Sequence, residues 1–266
     1  MGAMRSRTPW VVAVPATLGL LAGCASSSSV GPSITTTSVI PTHSGSWSVV
    51  ALGDSVPAGT ACECTPYPEL SASSLTVPGT REVSATNDAV AGATTSDVLT
   101  SVTTDPDVES RIGAADVVEI EVGANDVGYG STCGTTVSCY QATLPSVERN
   151  LQDIVARVHA LTKGHQTLIV LLDYWSVWLG GAYAEAQGQA YVDAAAAVTD
   201  DVNAVIRQTA SATGSAYVDL RAAFKGPDYS YDETHYLAPD GDHPNASGHQ
   251  QISAAVVDVV TTTLHL

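Results

Sequence analysis

Three short polar constellations in this chain are placed where acyl-transfer chemistry would use them. Gly53-Asp54-Ser55-Val56 directly follows the apolar run Val49-Val50-Ala51-Leu52, so a serine falls at the end of a buried strand. Open α/β sheets bind their ligands at that edge. Gly123-Ala124-Asn125-Asp126 likewise follows the apolar run Val117 to Val122. Asp240-Gly241-Asp242-His243-Pro244-Asn245 sets a histidine among carboxylates just before a final helical pattern. Ester hydrolysis by a serine needs a nucleophile, a base, a group that orients the base, and donors for the oxyanion. Ser55 is the candidate nucleophile, and its own N–H can serve the oxyanion if the strand runs into a helix there. His243 is the candidate base. Asp240 reaches back across a glycine-containing turn to hold its tautomer. Asp242 is the competing carboxylate, and its adjacency in sequence makes that reach harder.

These blocks resemble those of the SGNH hydrolases, the GDSL lipase/esterase superfamily, from Trp47 to the C-terminus. Gly53-Asp54-Ser55 matches the first block and implies Ser55 as nucleophile. Gly92, within Ala89-Val90-Ala91-Gly92-Ala93-Thr94, matches the glycine whose N–H joins the oxyanion hole. Gly123-Ala124-Asn125-Asp126 matches Gly-x-Asn-Asp, which implies Asn125 as an amide donor. Asp240 to His243 matches Asp-x-x-His. The resemblance implies a flavodoxin-like five-stranded parallel sheet and a metal-free, cofactor-free serine esterase or lipase. A Gly-x-Ser-x-Gly elbow is absent around Ser55, as are zinc-protease, phosphate-loop and dinucleotide motifs.

Positioning these residues requires strands that end together. Alternating apolar runs and helical patterns predict an α/β three-layer sandwich with a parallel sheet. The expected strands are Ser48 to Leu52, Glu82 to Thr86, Val117 to Val122, Thr167 to Leu172 and Ala216 to Leu220. The expected helices are Leu144 to Leu161, Ala182 to Ala210, and Ser247 to Leu264 capped by Asn245 or Ser247. In the first helix Val147, Leu151, Ile154, Val155 and Val158 share a stripe; in the last, Ile252, Val256, Val257 and Val260 do. Tyr174, Trp175 and Trp178 follow the fourth strand and are candidates for an apolar substrate wall. His235 is a candidate to tune the His243 loop, whereas His43, His159, His165, His249 and His265 read as solvated or structural.

The chain has 266 residues, 44% of them hydrophobic, and a formal net charge of −17 with only 10 Lys and Arg. That balance argues against nucleic acid as a partner, since phosphate contacts need clustered basic residues. Arg5 and Arg7, the apolar stretch Trp10 to Leu21, and Leu21-Ala22-Gly23-Cys24 resemble a bacterial lipoprotein signal. The expected organisation is a signal peptide over residues 1–23, a Ser/Thr-rich flexible tether over 24–46, and a hydrolase domain over 47–266. Lipid on Cys24 would then make the membrane a partner. It would anchor the exported chain to the outer face of the cytoplasmic membrane or allow its release. Cys62, Cys64, Cys133 and Cys139 are expected to form two disulfides, with all three pairings open. The substrate is a small-molecule, lipid or glycan ester. Two alternatives are an acyltransferase or deacetylase acting on envelope glycans, and a non-catalytic ligand-binding lipoprotein. Neither acyl length nor oligomeric state is legible.

Overall fold

The computed structural model describes residues 45–266. The expected signal peptide, Cys24, most of the tether, and His43 lie outside the described residues. Five parallel strands form one sheet in the order β2-β1-β3-β4-β5. They are β1 (Gly45–Gly53), β2 (Arg81–Asn87), β3 (Val117–Glu121), β4 (Leu168–Leu172) and β5 (Ala216–Val218). Trp47, Val49–Leu52 and the whole of β3 are buried, as a sheet covered on both faces requires.

The helices are α1 (Tyr67–Leu75), α2 (Thr95–Thr104), α3 (Pro106–Gly113), α4 (Val137–Gln141), α5 (Leu144–Leu161), α6 (Gly181–Glu185), α7 (Gln189–Thr213), α8 (Leu220–Lys225) and α9 (Ala246–Leu264). Right-handed crossovers put α1 on one face, where α9 packs on it, and α2, α5 and α7 on the other. The predicted stripe of α5 is buried in full, and in α9 Ile252, Val256 and Val260 are buried while Val257 is half-buried. The chain leaves β1 toward β2 and later returns to the other side as β3. The carboxyl ends of β1 and β3 therefore form the topological switch point.

Three sequence expectations change in detail, and the two expected disulfides take one of the three open pairings. The strand Ala216 to Leu220 stops at Val218, because Asp219 caps α8 through a 2.7 Å bond from the Ala222 N–H. The helix Ala182 to Ala210 is two helices, broken at Gly188 with φ +92°. Ser55 opens no helix; it begins a run of turns in which the Thr60 N–H donates to the Ser55 carbonyl at 3.0 Å. Pro57, and Ala61 and Glu63 in left-handed conformation, prevent a regular helix there. The cysteines pair as Cys62 with Cys64 and Cys133 with Cys139, at Cα separations of 5.1 and 5.8 Å. The left-handed turn at Ala61 and Glu63 carries the short bridge between Cys62 and Cys64.

Candidate active site

Register brings the first two constellations together. Gly53 pairs with Glu121, so β1 and β3 end side by side. Gly53 has φ +150°, and a Cβ there would lie 2.1 Å from the Glu121 carbonyl oxygen. Only glycine allows the chain to turn into Ser55 against β3. The next residue, Asp54, is buried, and its carboxylate organises this turn. It accepts the Val56 N–H at 3.1 Å and the Tyr174 hydroxyl at 2.6 Å. Burial raises the Asp54 carboxyl to about 6, against the opposing pull of those two donors.

Asn125 lies in a 3-10 turn, Ala124–Val127, directly after β3. Its amide donates one bond to the Ala93 carbonyl at 3.0 Å, and a second N–H remains for another acceptor. Asp126 holds the start of α2: it accepts the Thr95 N–H at 2.9 Å and the Thr95 hydroxyl at 2.7 Å. Asn125 and Asp126 together tie the loop carrying Gly92 to the end of β3. Gly92 has φ +80°, is exposed, and faces open space.

His243 sits in the loop between the short 3-10 turn Thr234–Tyr236 and α9. The Ala238 N–H donates to the His243 carbonyl at 2.8 Å, and Asn245 caps α9 through the Ser247 and Gly248 N–H groups. The His243 Nδ1 lies 2.8 Å from Asp240 Oδ2, and the other Asp240 oxygen accepts the His243 and Asp242 N–H groups at 3.1 Å. Partial burial pushes the Asp240 carboxyl up, but the bonds from His243 and the backbone outweigh it and hold it below its usual range. Asp242 instead stands 4.0 Å from the other ring nitrogen, Nε2. Burial first, then the Asp240 charge, raises the Asp242 carboxyl.

Ser55, Asn125 and His243 line one cavity of about 360 Å³, together with Tyr174, Trp175 and Trp178 from the end of β4. No hydrogen bond joins Ser55 to His243 among the described residues; such bonds are often loose without substrate. Gly92 borders a neighbouring cavity of about 310 Å³ instead, lined also by Gly53, Val90 and Val98. Trp175 stacks on Phe224 at 4.3 Å, and the Trp178 indole N–H donates to the Val127 carbonyl at 2.8 Å. These aromatic rings are therefore fixed wall. His235 packs on Tyr236 and does not line the cavity. Sequence reading missed Tyr129, Tyr191 and Gln187, which do line it. Only the position of Tyr129 just beyond the Gly-x-Asn-Asp block hinted at a place near the site.

Cys62, Cys64 and His249 each bring a possible ligand atom within 4.8 Å of the others. The two sulfurs are bonded to each other, and the His249 Nδ1 accepts the Tyr67 N–H at 3.2 Å. In this state the trio offers neither a thiolate nor a free imidazole lone pair.

A parallel sheet whose switch point carries a serine, with an oriented imidazole across the cavity, is the architecture of a serine hydrolase. The chain belongs to the GDSL-like Lipase/Acylhydrolase family, whose profile matches residues 51–251, and is a serine ester hydrolase. Solved structures that share the fold include three with related descriptions. A lipase from a goat rumen metagenome is 19% identical with a TM-score of 0.62, covering 80% of this chain and 97% of its own. An acetylxylan esterase from Geobacillus stearothermophilus is 21% identical with a TM-score of 0.59, covering 82% and 94%. A phospholipase A1 from Streptomyces albidoflavus NA297 is 22% identical with a TM-score of 0.58, covering 82% and 99%. No curated protein matches the chain significantly.

Proposed function

We propose that the chain hydrolyses carboxylic esters through a serine acyl-enzyme, as an exported, lipid-anchored esterase or lipase. Ser55 Oγ attacks the ester carbonyl while His243 Nε2 takes its proton. The oxyanion is held by the N–H groups of Ser55 and Gly92 and by the free amide N–H of Asn125. The ester C–O bond then breaks, and His243 returns the proton to the departing alkoxide. Water repeats the sequence on the acyl-serine and releases the acid. Asp240 fixes the imidazole so that Nε2 faces the serine and stabilises the imidazolium. The observation that carries this reading is the 2.8 Å contact between Asp240 and His243 Nδ1 at the cavity shared with Ser55. Each oxyanion donor contributes roughly 3 kcal/mol to lowering the barrier.

The test is hydrolysis of p-nitrophenyl acetate and longer p-nitrophenyl esters by wild type and Ser55→Ala. Loss of about three orders of magnitude or more in kcat is expected, with an unchanged circular dichroism spectrum. Activity within about tenfold of wild type would remove Ser55 from the nucleophile's role. The relatives described as a lipase, an acetylxylan esterase and a phospholipase leave lipid and acetylated-glycan esters both within the class.

A further inference from the structure

The reading of Ser55 and His243 as catalytic pair also divides the cleft. His243 returns its proton to the departing alkoxide, so the alcohol part of the substrate lies on the His243 side, in the cavity of about 360 Å³. Two features of that cavity bear on the charge of its occupant. Among the described residues no Lys or Arg lines it, while the carboxyl groups of Asp54 and Asp242 and the His243 ring do. The nearby cations Arg221 and Lys225 line a different cavity and are tied to Asp200 and Glu233. Asp242 is half exposed, and its only ion-pair neighbour among the described residues is the His243 ring.

The second feature is aromatic. Tyr129 is 51% exposed although it packs edge-on against Trp178 and Tyr191, each with ring centroids 5.1 Å away. Trp178 is braced in turn by Tyr140 at 4.9 Å. The cluster packs Tyr129 at the cavity while leaving half of it uncovered. An exposed aromatic ring beside a carboxylate attracts a soft cation through the ring quadrupole and the charge together. The net charge of −17 favours approach of cations to the molecule over anionic esters.

We propose that this side of the cleft is a subsite for a cationic alcohol group of the trimethylammonium type, seated between Tyr129 and Asp242. It rests on the hydrolase reading above and goes beyond it by fixing the charge of the leaving group. The experiment compares kcat/KM for 2-(trimethylammonio)ethyl acetate with that for its neutral isostere 3,3-dimethylbutyl acetate, with p-nitrophenyl acetate as reference. At low ionic strength the cationic ester is favoured by about tenfold or more, and the preference shrinks in about 0.5 M salt. Tyr129→Leu and Asp242→Asn each reduce that ratio several-fold; the ratio, not the rate, is the readout. A wild-type ratio of one or below, or a ratio untouched by both substitutions, overturns the subsite while p-nitrophenyl acetate hydrolysis preserves the hydrolase reading. Failure to hydrolyse any of the three esters overturns the hydrolase reading instead. The subsite then stands or falls on calorimetric titration of Ser55→Ala with tetramethylammonium, where absence of saturable binding refutes it.

Discussion

At His243 two carboxylates compete for one imidazole, and geometry separates them. Asp240 meets Nδ1 at 2.8 Å, the nitrogen that faces away from a serine bound at Nε2, whereas Asp242 stands 4.0 Å from Nε2 itself. Asp240→Asn therefore presents an amide that no longer fixes the tautomer or balances the imidazolium. Its kcat on p-nitrophenyl acetate is expected to fall about a hundredfold or more, and that of Asp242→Asn by less than about tenfold. The reverse order in steady-state kinetics would hand the orienting role to Asp242. The positions of Ser55, Asn125, Asp240 and His243 were legible in sequence because each lies in a short block whose chemistry is local. Tyr191 and Gln187 were not, since only the packing of α7 and its preceding turn beside the end of β4 brings them to the same cavity, and Tyr129 was marked only by its place just beyond the Gly-x-Asn-Asp block. The hydrogen bond from Tyr174 to Asp54 spans 120 positions and has no sequence signature.

At the scale of elements, the sheet buries carboxyls that a core would ordinarily exclude. Glu119 and Glu121 of β3 are fully buried; the Glu119 carboxyl has no hydrogen-bond partner, and Glu121 has only the neighbouring Tyr67 hydroxyl to oppose its burial. Burial drives both well above the usual carboxylate range, with Glu69 adding to the first and Asp54 to the second. Burial likewise raises Asp173, at the end of β4, to about 7. The folded state holds these protons more tightly than the unfolded chain. Their stabilisation is thus fully present below about pH 4 and is lost as pH rises through the folded values. His249 works in the opposite sense: burial, with a further push from His243, lowers it to about 4, so its contribution is complete above about pH 6.5 and is lost toward pH 4. Above about pH 6.5 the carboxyls act unopposed. The melting temperature is expected to fall by several degrees between about pH 6.5 and pH 9, and Glu119→Gln to flatten the slope. A melting temperature that is level or rising across that window, measured by circular dichroism, contradicts the assignment. Apolar runs located β1, β3 and β4 to within a few residues, because burial on both faces leaves nearly uninterrupted Val, Ile and Leu, whereas β2 alternates buried and exposed residues and β5 is only three residues long. Apolar periodicity is silent about α1, whose buried face includes Tyr67, Pro68 and Ser71, and about α4 and α8, which are too short to show it. The break between α6 and α7 depends on one glycine within an alanine-rich run.

For the whole molecule, the charge that suits the proposed subsite works against a membrane. A net charge of −17 gives no attraction to anionic lipid headgroups, and no helix among the described residues is long and apolar enough to cross a bilayer. The envelope location proposed above rests instead on a covalent lipid at Cys24 in Leu21-Ala22-Gly23-Cys24. One acyl chain binds membranes only marginally, whereas two or more hold a protein stably, each buried methylene contributing about 0.8 kcal/mol. Cys24 precedes the described domain, so its loss should leave ester hydrolysis intact and change only where the enzyme is found. In a bacterial host that processes lipoproteins, the wild type is expected in the detergent phase of a cloud-point partition. Cys24→Ser should appear in the aqueous phase or the medium with full activity on p-nitrophenyl acetate. A wild type that partitions into water as completely as Cys24→Ser would exclude the anchor. The enzyme would then reach its substrates by diffusion, and its acidic surface would keep it from adhering to anionic membranes.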